Sequence, residues 1–338
     1  FNKLMQITDF HKKLDVRTNA DSPKDANKAK KFGAKGIGLC RTEHMFFNPN
    51  RIAAMREMIV APNESKRRNA LMKLLPYQQQ DFYDILKAMA PHPVTIRLLD
   101  PPLHEFLPTT KQQIIQTAKQ LNISTSELQH RINDLHEINP MLGHRGCRLG
   151  ISYPEITEMQ TMAILYATKQ LLIDGVKVVP EIMIPLVGSV EEYKHQKNII
   201  ISIADEIQKK SDVELKFLIG TMIELPRACM VAGEIAKEAD FISFGTNDLT
   251  QTAFGFSRDD IGSFLTNYLD SQVLRNDPFQ TIDIKGVGEL VRLAVNKSRR
   301  TNKSIKIGVC GEHGGDPVSI QFFNEIGLDY ISCSPFRV

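Results

Sequence analysis

The sequence predicts an α/β chain folded as a (β/α)8 TIM barrel with inserted helices and a truncated last helix. Three observations carry that expectation. Short β-branched apolar runs alternate with longer amphipathic stretches, the pattern of repeated βα units around a parallel sheet. The units recur at roughly regular spacing across 338 residues. Polar residues of functional type follow several different apolar runs, as they do where an active site lies at the carboxyl ends of barrel strands. A doubly wound open sheet would also satisfy the alternation, but it would not spread such residues over so many strand ends.

The strand candidates are residues 16–21, 36–43, 94–100, 145–151, 180–187, 217–224, 241–248, 305–311 and 330–334. Nine candidates compete for eight places. The weakest is 145–151, whose two arginines and two glycines fit a loop as well. Between the first two strands, Ser22-Pro23-Lys24-Asp25 supplies a cap, a first-turn proline and an acid three places on, with Gly33 as the stop. Residues 64–90 read as helix interrupted at Pro76. The stretch 101–140 is long for one connection and is expected to carry inserted helices over one barrel mouth. Ser124 with Glu127 and Ser189 with Glu192 repeat the capping-box spacing, and Gly175 closes a helix that begins near Pro154. No repeat or linker divides the chain. Residues 16–338 are therefore read as the barrel and 1–15 as a leading helix or linker from upstream domains, since a start at Phe1 and a stop at Val338 suit a piece of a longer polypeptide.

Composition narrows the function classes. With 42% hydrophobic and 24% charged residues the chain reads as an ordinary globular protein, and its longest nearly apolar run, 178–188, is too short to span a bilayer. Five cysteines without a Cys-x-x-Cys pair offer neither a disulfide framework nor a zinc site, and suggest a reducing, cytoplasmic setting. The net charge of +3 is slight, and Lys66-Arg67-Arg68 and Arg299-Arg300 lack aromatic interleaving, so solvated helix faces explain them better than nucleic acid does.

The chemistry is concentrated at strand ends. Glu224 closes one apolar run and Asp248 the next, an arrangement that suits a hard divalent cation shared with an oxygen-rich substrate. Each also has a plainer reading: Glu224 as a capping or salt-bridged residue, Asp248 as an N-cap, with Asn247 tolerating a left-handed turn. Gly245 and Thr246 before them argue for close backbone approach to a ligand. Arg41 and Arg97 interrupt apolar strands, where an unpaired charge costs several kcal/mol. Asp100 could pair with Arg97 and Glu43 with Arg41, or both arginines could await an anion. Arg145, with Arg258 further on, tips that balance toward an anion pocket. Cys310 reads as a small core residue, or as a group exchanging a proton with carbon if it stands near the cation and the arginines. His144 and His313 read mainly as structural.

Four segments carry a resemblance: Gly36-Ile37-Gly38-Leu39-Cys40-Arg41-Thr42-Glu43-His44-Met45-Phe46, Gly143-His144-Arg145-Gly146-Cys147-Arg148-Leu149, Gly245-Thr246-Asn247-Asp248-Leu249-Thr250-Gln251 and Gly308-Val309-Cys310-Gly311-Glu312-His313-Gly314-Gly315-Asp316-Pro317. Together they resemble the phosphoenolpyruvate-utilising barrels, and the Cys-Arg-Thr-Glu-His and Cys-Gly-Glu-His-Gly-Gly wording resembles the pyruvate, phosphate dikinase branch. The resemblance implies that Glu224 and Asp248 hold Mg2+, that Arg41, Arg97 and Arg145 bind the phosphoryl group or bridging oxygen with Asn247 assisting, and that Cys310 moves the proton at the pyruvate methyl. It implies phosphoryl transfer between a phosphohistidine and pyruvate enolate, with phosphoenolpyruvate and pyruvate as ligands, and a homodimer. The family's carrier histidine, in a Gly-Gly-x-x-Ser-His type segment, is not among these residues, so a phosphohistidine domain outside them is the expected partner.

Competing expectations are a pyruvate, water dikinase or enzyme I-like barrel, a Mg2+-dependent oxoacid aldolase or lyase, and a non-catalytic, phosphoenolpyruvate-binding dimerisation module. The lyase has little need for three phosphate-binding arginines plus Cys310. The module predicts binding without turnover.

Overall fold

A computed structural model describes residues 12–338 of the chain; the leading segment assigned to 1–15 lies mostly outside the described residues. Eight parallel strands, β1 (Asp15–Asn19), β2 (Ile37–Arg41), β3 (Val94–Arg97), β4 (Pro180–Ile184), β5 (Leu218–Ile223), β6 (Phe241–Phe244), β7 (Lys306–Val309) and β8 (Tyr330–Cys333), pair in sequence order, and β1 returns to β8 to close the barrel. Eight of the nine strand candidates thus form the barrel. The ninth does not: residues 146–152 are helix. Gly146, at φ +58°, turns the chain so that its N–H reaches the Asp100 carbonyl and the Cys147 N–H reaches that of Pro185, which leaves no free edge for a strand.

Helices cover the outside. They are α1 (Pro23–Phe32), α2 (Pro49–Val60), α3 (Glu64–Met89), α4 (Lys111–Leu121), α5 (Thr125–Leu135), α6 (Gly146–Ser152) and α7 (Pro154–Ile173). The rest are α8 (Val190–Lys209), α9 (Pro226–Met230), α10 (Ala232–Glu238), α11 (Thr246–Phe254), α12 (Leu265–Asp270), α13 (Val287–Thr301) and α14 (Pro317–Glu325). The caps read from sequence form: the side chains of Ser22, Ser124 and Ser189 accept the N–H of Asp25, Glu127 and Glu192, and Gly33 and Gly175 take left-handed φ. Pro76 does not interrupt its helix. α3 runs unbroken for 26 residues because Ala70, Leu71, Leu74, Phe82, Ile85 and Met89 are all buried, and packing outweighs the missing N–H.

The barrel interior is layered. At its amino end Arg17, Glu181 and Lys306 form an ionic floor; above it Leu39, Met183, Met222, Phe241 and Cys310 make an apolar layer. A Cβ at Gly308 would stand 2.1 Å from the Tyr330 ring, so glycine there lets the tyrosine lie across the interior. The insertion after β3 carries the expected helices, α4 and α5, with two short 3-10 turns before α6; the residues of it that line the mouth, Pro101, Pro102, Glu105 and Met141, lie outside those two helices.

Candidate functional site

The carboxyl ends of the strands open into a cavity of about 220 Å3. Arg41 and Arg97 are the last residues of β2 and β3 and are partners in strand register. Glu224 directly follows β5, Asn247 and Asp248 lie in the first turn of α11, and Cys310 directly follows β7. All these residues line the cavity, with Gly245, Arg145 and Arg258. Arg145 reaches it from the N-cap of α6, not from a strand end. Four arginines there face five carboxylates, Glu43, Asp100, Glu105, Glu224 and Asp248.

The arginines are anchored chiefly by acids. Arg97 reaches Asp100 at 2.8 Å and Glu43 at 2.5 Å, and Arg145 reaches Asp100 at 2.7 Å and Asp248 at 3.1 Å. Glu43 therefore serves Arg97 rather than Arg41. Asp100 is the hub: burial alone would raise its pKa, but the two guanidinium groups bring it below the ordinary carboxylate range. The pairing of Asp100 with Arg97 is the one read from the sequence, where the two are three residues apart; that Asp100 also holds Arg145, and that Glu43 turns to Arg97, depends on which strand ends the barrel brings together. The Arg97 Nε and Glu43 Oε2 atoms are buried without a partner.

Glu224 is fully buried. Its Oε1 accepts the Leu186 N–H at 2.6 Å, and its Oε2 has no partner. Burial first, then the charges of Asp248 and Asp100, push its pKa well above the usual value. Neither plain reading describes it: Leu225 is the N-cap of α9, and no base pairs with Glu224 among the described residues. A Cβ at Gly245 would lie 2.7 Å from Glu224 Oε2, so the glycine keeps space open there. Asp248 makes no capping bond; Gly245 is the N-cap.

The remaining candidates separate. Thr246 is buried and does not line the cavity; its hydroxyl is 2.7 Å from His313 Nδ1. The other His313 nitrogen, 2.8 Å from the Pro278 carbonyl, donates to it, so the hydroxyl donates to Nδ1 and both ring atoms are engaged. Asn247 Oδ1 accepts the Glu312 N–H at 3.0 Å. Burial pushes the Cys310 thiol up to about 11, against the opposing influence of Ser243. The Cys310 carbonyl is held by the Asn19 side chain at 3.1 Å.

Two carboxylates lining one cavity, one of them with a buried oxygen that lacks a partner, fit a magnesium ion, which takes one or two protein carboxylates and completes its shell with substrate oxygens and water. Among the described residues there is no group of three or more His, Cys, Asp or Glu arranged to hold a metal unaided.

An arginine cluster beside carboxylates at the carboxyl ends of eight closed parallel strands defines a (β/α)8 TIM-barrel domain with a charged cavity where such barrels carry their active sites. The family described as "PEP-utilising enzyme, PEP-binding domain" matches residues 1–338, and the chain belongs to it. The chain is 57% identical to "Pyruvate, phosphate dikinase" of Rhizobium meliloti over 100% of its own length and 38% of that protein. It is 50% identical to the Clostridium symbiosum protein of that name, covering 100% of the chain and 39% of the protein. The chloroplastic one of Flaveria trinervia is 55% identical over 99% of the chain and 35% of the protein. The chain thus spans less than two-fifths of these relatives. Among the described residues no helix is long and apolar enough to cross a membrane.

Proposed function

We propose that this chain is the phosphoenolpyruvate- and pyruvate-binding barrel of a pyruvate, phosphate dikinase, and that it carries the pyruvate half of the reaction. The observation that carries the reading is the cavity in which four arginines stand beside Glu224, whose buried Oε2 lacks a partner. The names of the relatives support the same assignment.

In this reading Glu224 and Asp248 would hold Mg2+, which supplies positive charge opposite the phosphoryl and enolate oxygens. Arg97 and Arg145, already oriented by Asp100 and Glu43, bind the phosphoryl group without further ordering, and Arg41 and Arg258 complete the grip. In the direction of pyruvate, the phosphoryl group leaves the enol oxygen for the histidine of a separate domain: the O–P bond breaks as the N–P bond forms. The enolate then takes a proton at its methylene carbon from the Cys310 thiol. A thiol pushed up to about 11 is protonated near neutrality, as a donor must be. In the reverse direction the thiolate removes that proton. Pro101, Pro102, Glu105 and Met141 of the insertion limit water at the mouth. The cytoplasmic setting, in keeping with five free, buried cysteines, and the homodimer are parts of the same proposal.

The test is titration of the chain with phosphoenolpyruvate by calorimetry, with and without Mg2+. Binding is expected to require the metal. Affinity that ignores Mg2+, or survives Arg97→Ala unchanged, overturns the assignment.

A further inference from the structure

Arg41 is held unlike its neighbours. Arg97 and Arg145 are buried against carboxylates at 2.8 and 2.7 Å, whereas the Arg41 side chain is 29% exposed and its guanidinium stands 3.9 Å from its nearest acid, Asp21. Asp21 follows β1 and lines no part of the cavity. Its Oδ1 accepts the Arg41 backbone N–H at 2.6 Å, and its Oδ2 lies 2.7 Å from Nδ1 of His44. His44 sits in the 3-10 turn after β2 with its side chain 54% exposed, outside the cavity. One carboxylate oxygen thus stands between an imidazole and Arg41, a cavity arginine that no acid grips closely.

We propose that Asp21 and His44 are positioning residues that form a pH-sensitive hold on Arg41. With His44 neutral, Asp21 attracts the Arg41 guanidinium; with His44 protonated, the imidazolium satisfies Asp21 and Arg41 is released toward the anion in the cavity. The inference rests on the reading above that Arg41 binds an anionic ligand.

The groups facing His44 favour its protonated form. The hydrogen bond to Asp21 raises the pKa of His44; burial lowers it; the charges of Asp21 and Glu43 raise it and that of Arg41 lowers it, with a net rise above the ordinary value. Glu43 is committed to Arg97, and Asp81 of α3, whose charge reaches the adjoining Cys40, is committed to Arg51. Asp21 is therefore the acid left to divide its charge between His44 and Arg41. A group whose folded pKa is raised is protonated below it, so the release is complete at lower pH and is lost as pH rises through the folded pKa.

The experiment measures phosphoenolpyruvate affinity in Mg2+ buffer between about pH 6 and 9, which brackets histidine titration, for the unaltered chain and for His44→Gln, Asp21→Asn and Arg41→Ala. Comparing proteins at each pH cancels the ligand's own ionisation. The unaltered chain should bind about threefold to fivefold more tightly than His44→Gln at the acid end, the size of a partly exposed ion pair, and equally at the alkaline end. Asp21→Asn, whose amide oxygen still accepts the Arg41 N–H, should hold the tight affinity at every pH. Reciprocally, saturating ligand should move the His44 ring titration upward by NMR, and Asp21→Asn should abolish that movement. A flat ratio between the unaltered chain and His44→Gln, or weaker binding by Asp21→Asn at all pH, overturns the hold while Arg41→Ala still weakens binding. Unchanged affinity in Arg41→Ala instead overturns the role of Arg41 in the anion site.

Discussion

The two ends of this barrel hold similar chemistry to different effect. At the amino end Glu181 accepts Arg17 at 2.6 Å and Lys306 at 2.8 Å, Thr95 donates to it at 2.6 Å, and the Arg17 guanidinium lies 4.0 Å above the Tyr330 ring. Neither Glu181 nor Arg17 keeps a buried polar atom without a partner. At the carboxyl end Glu224, Glu43 and Arg97 each keep one. Buried ions whose partners are complete specify the fold; buried ions left incomplete cost stability unless a ligand completes them. The pKa directions agree. Arg17 and Lys306 overcome burial to hold Glu181 below the usual range, whereas burial and neighbouring acids drive Glu224 well above it.

The contrast can be broken at either end. The largest effect is expected from Glu181→Ala, which strands Arg17 and Lys306: about 3–5 kcal/mol of stability should be lost. Urea denaturation reads that loss, and ligand affinity in the surviving folded protein should be unchanged. Cys310→Ala should spare binding while slowing proton exchange at the pyruvate methyl by at least about a hundredfold, followed by NMR in D2O; normal exchange removes Cys310 from the chemistry. Glu224→Gln inverts the Glu181 result. Without metal its thermal midpoint should stay level or rise, because an ill-placed charge is gone, while Mg2+-dependent binding of phosphoenolpyruvate weakens about tenfold or more. A stability loss matching that of Glu181→Ala would erase the distinction between the two ends. A gentler probe is acid. A depressed carboxylate stabilises the fold above its unfolded pKa and loses that contribution as pH falls through its folded one. Glu181 should therefore make acid unfolding begin below about pH 4.3, the ordinary glutamate value, and Glu181→Gln should flatten that part of the stability profile. The smallest effect is expected from Ser189→Ala, which removes the cap of α8 and should cost about 1 kcal/mol without touching the site.

How much of this was legible in the sequence depends on the distance over which each feature is determined. Strand positions and caps are set by neighbours in the chain, so Ser22, Gly33 and Ser189 act where their spacing puts them. The convergence of Glu224, Asp248, Arg41, Arg97 and Cys310 on one rim followed from each ending or following a strand. Features settled by tertiary contact were not readable. Pro76 stays inside a helix because a buried face holds it there, and residues 146–152 form a helix because Asp100 and Pro185 bind their first amides. The ionic floor was missed entirely: Arg17, Glu181 and Lys306 come from strands far apart in sequence and meet only when the barrel closes.

The insertion between β3 and β4 leaves and returns at nearly one point. The Asp100 carbonyl receives the Gly146 N–H at 2.8 Å, and its carboxylate grips Arg145 beside it. Both arginines are thus fixed from the base of the excursion, while Leu103, Phe106, Ile114 and Leu128 within it are buried in the main core and tie it down along its length.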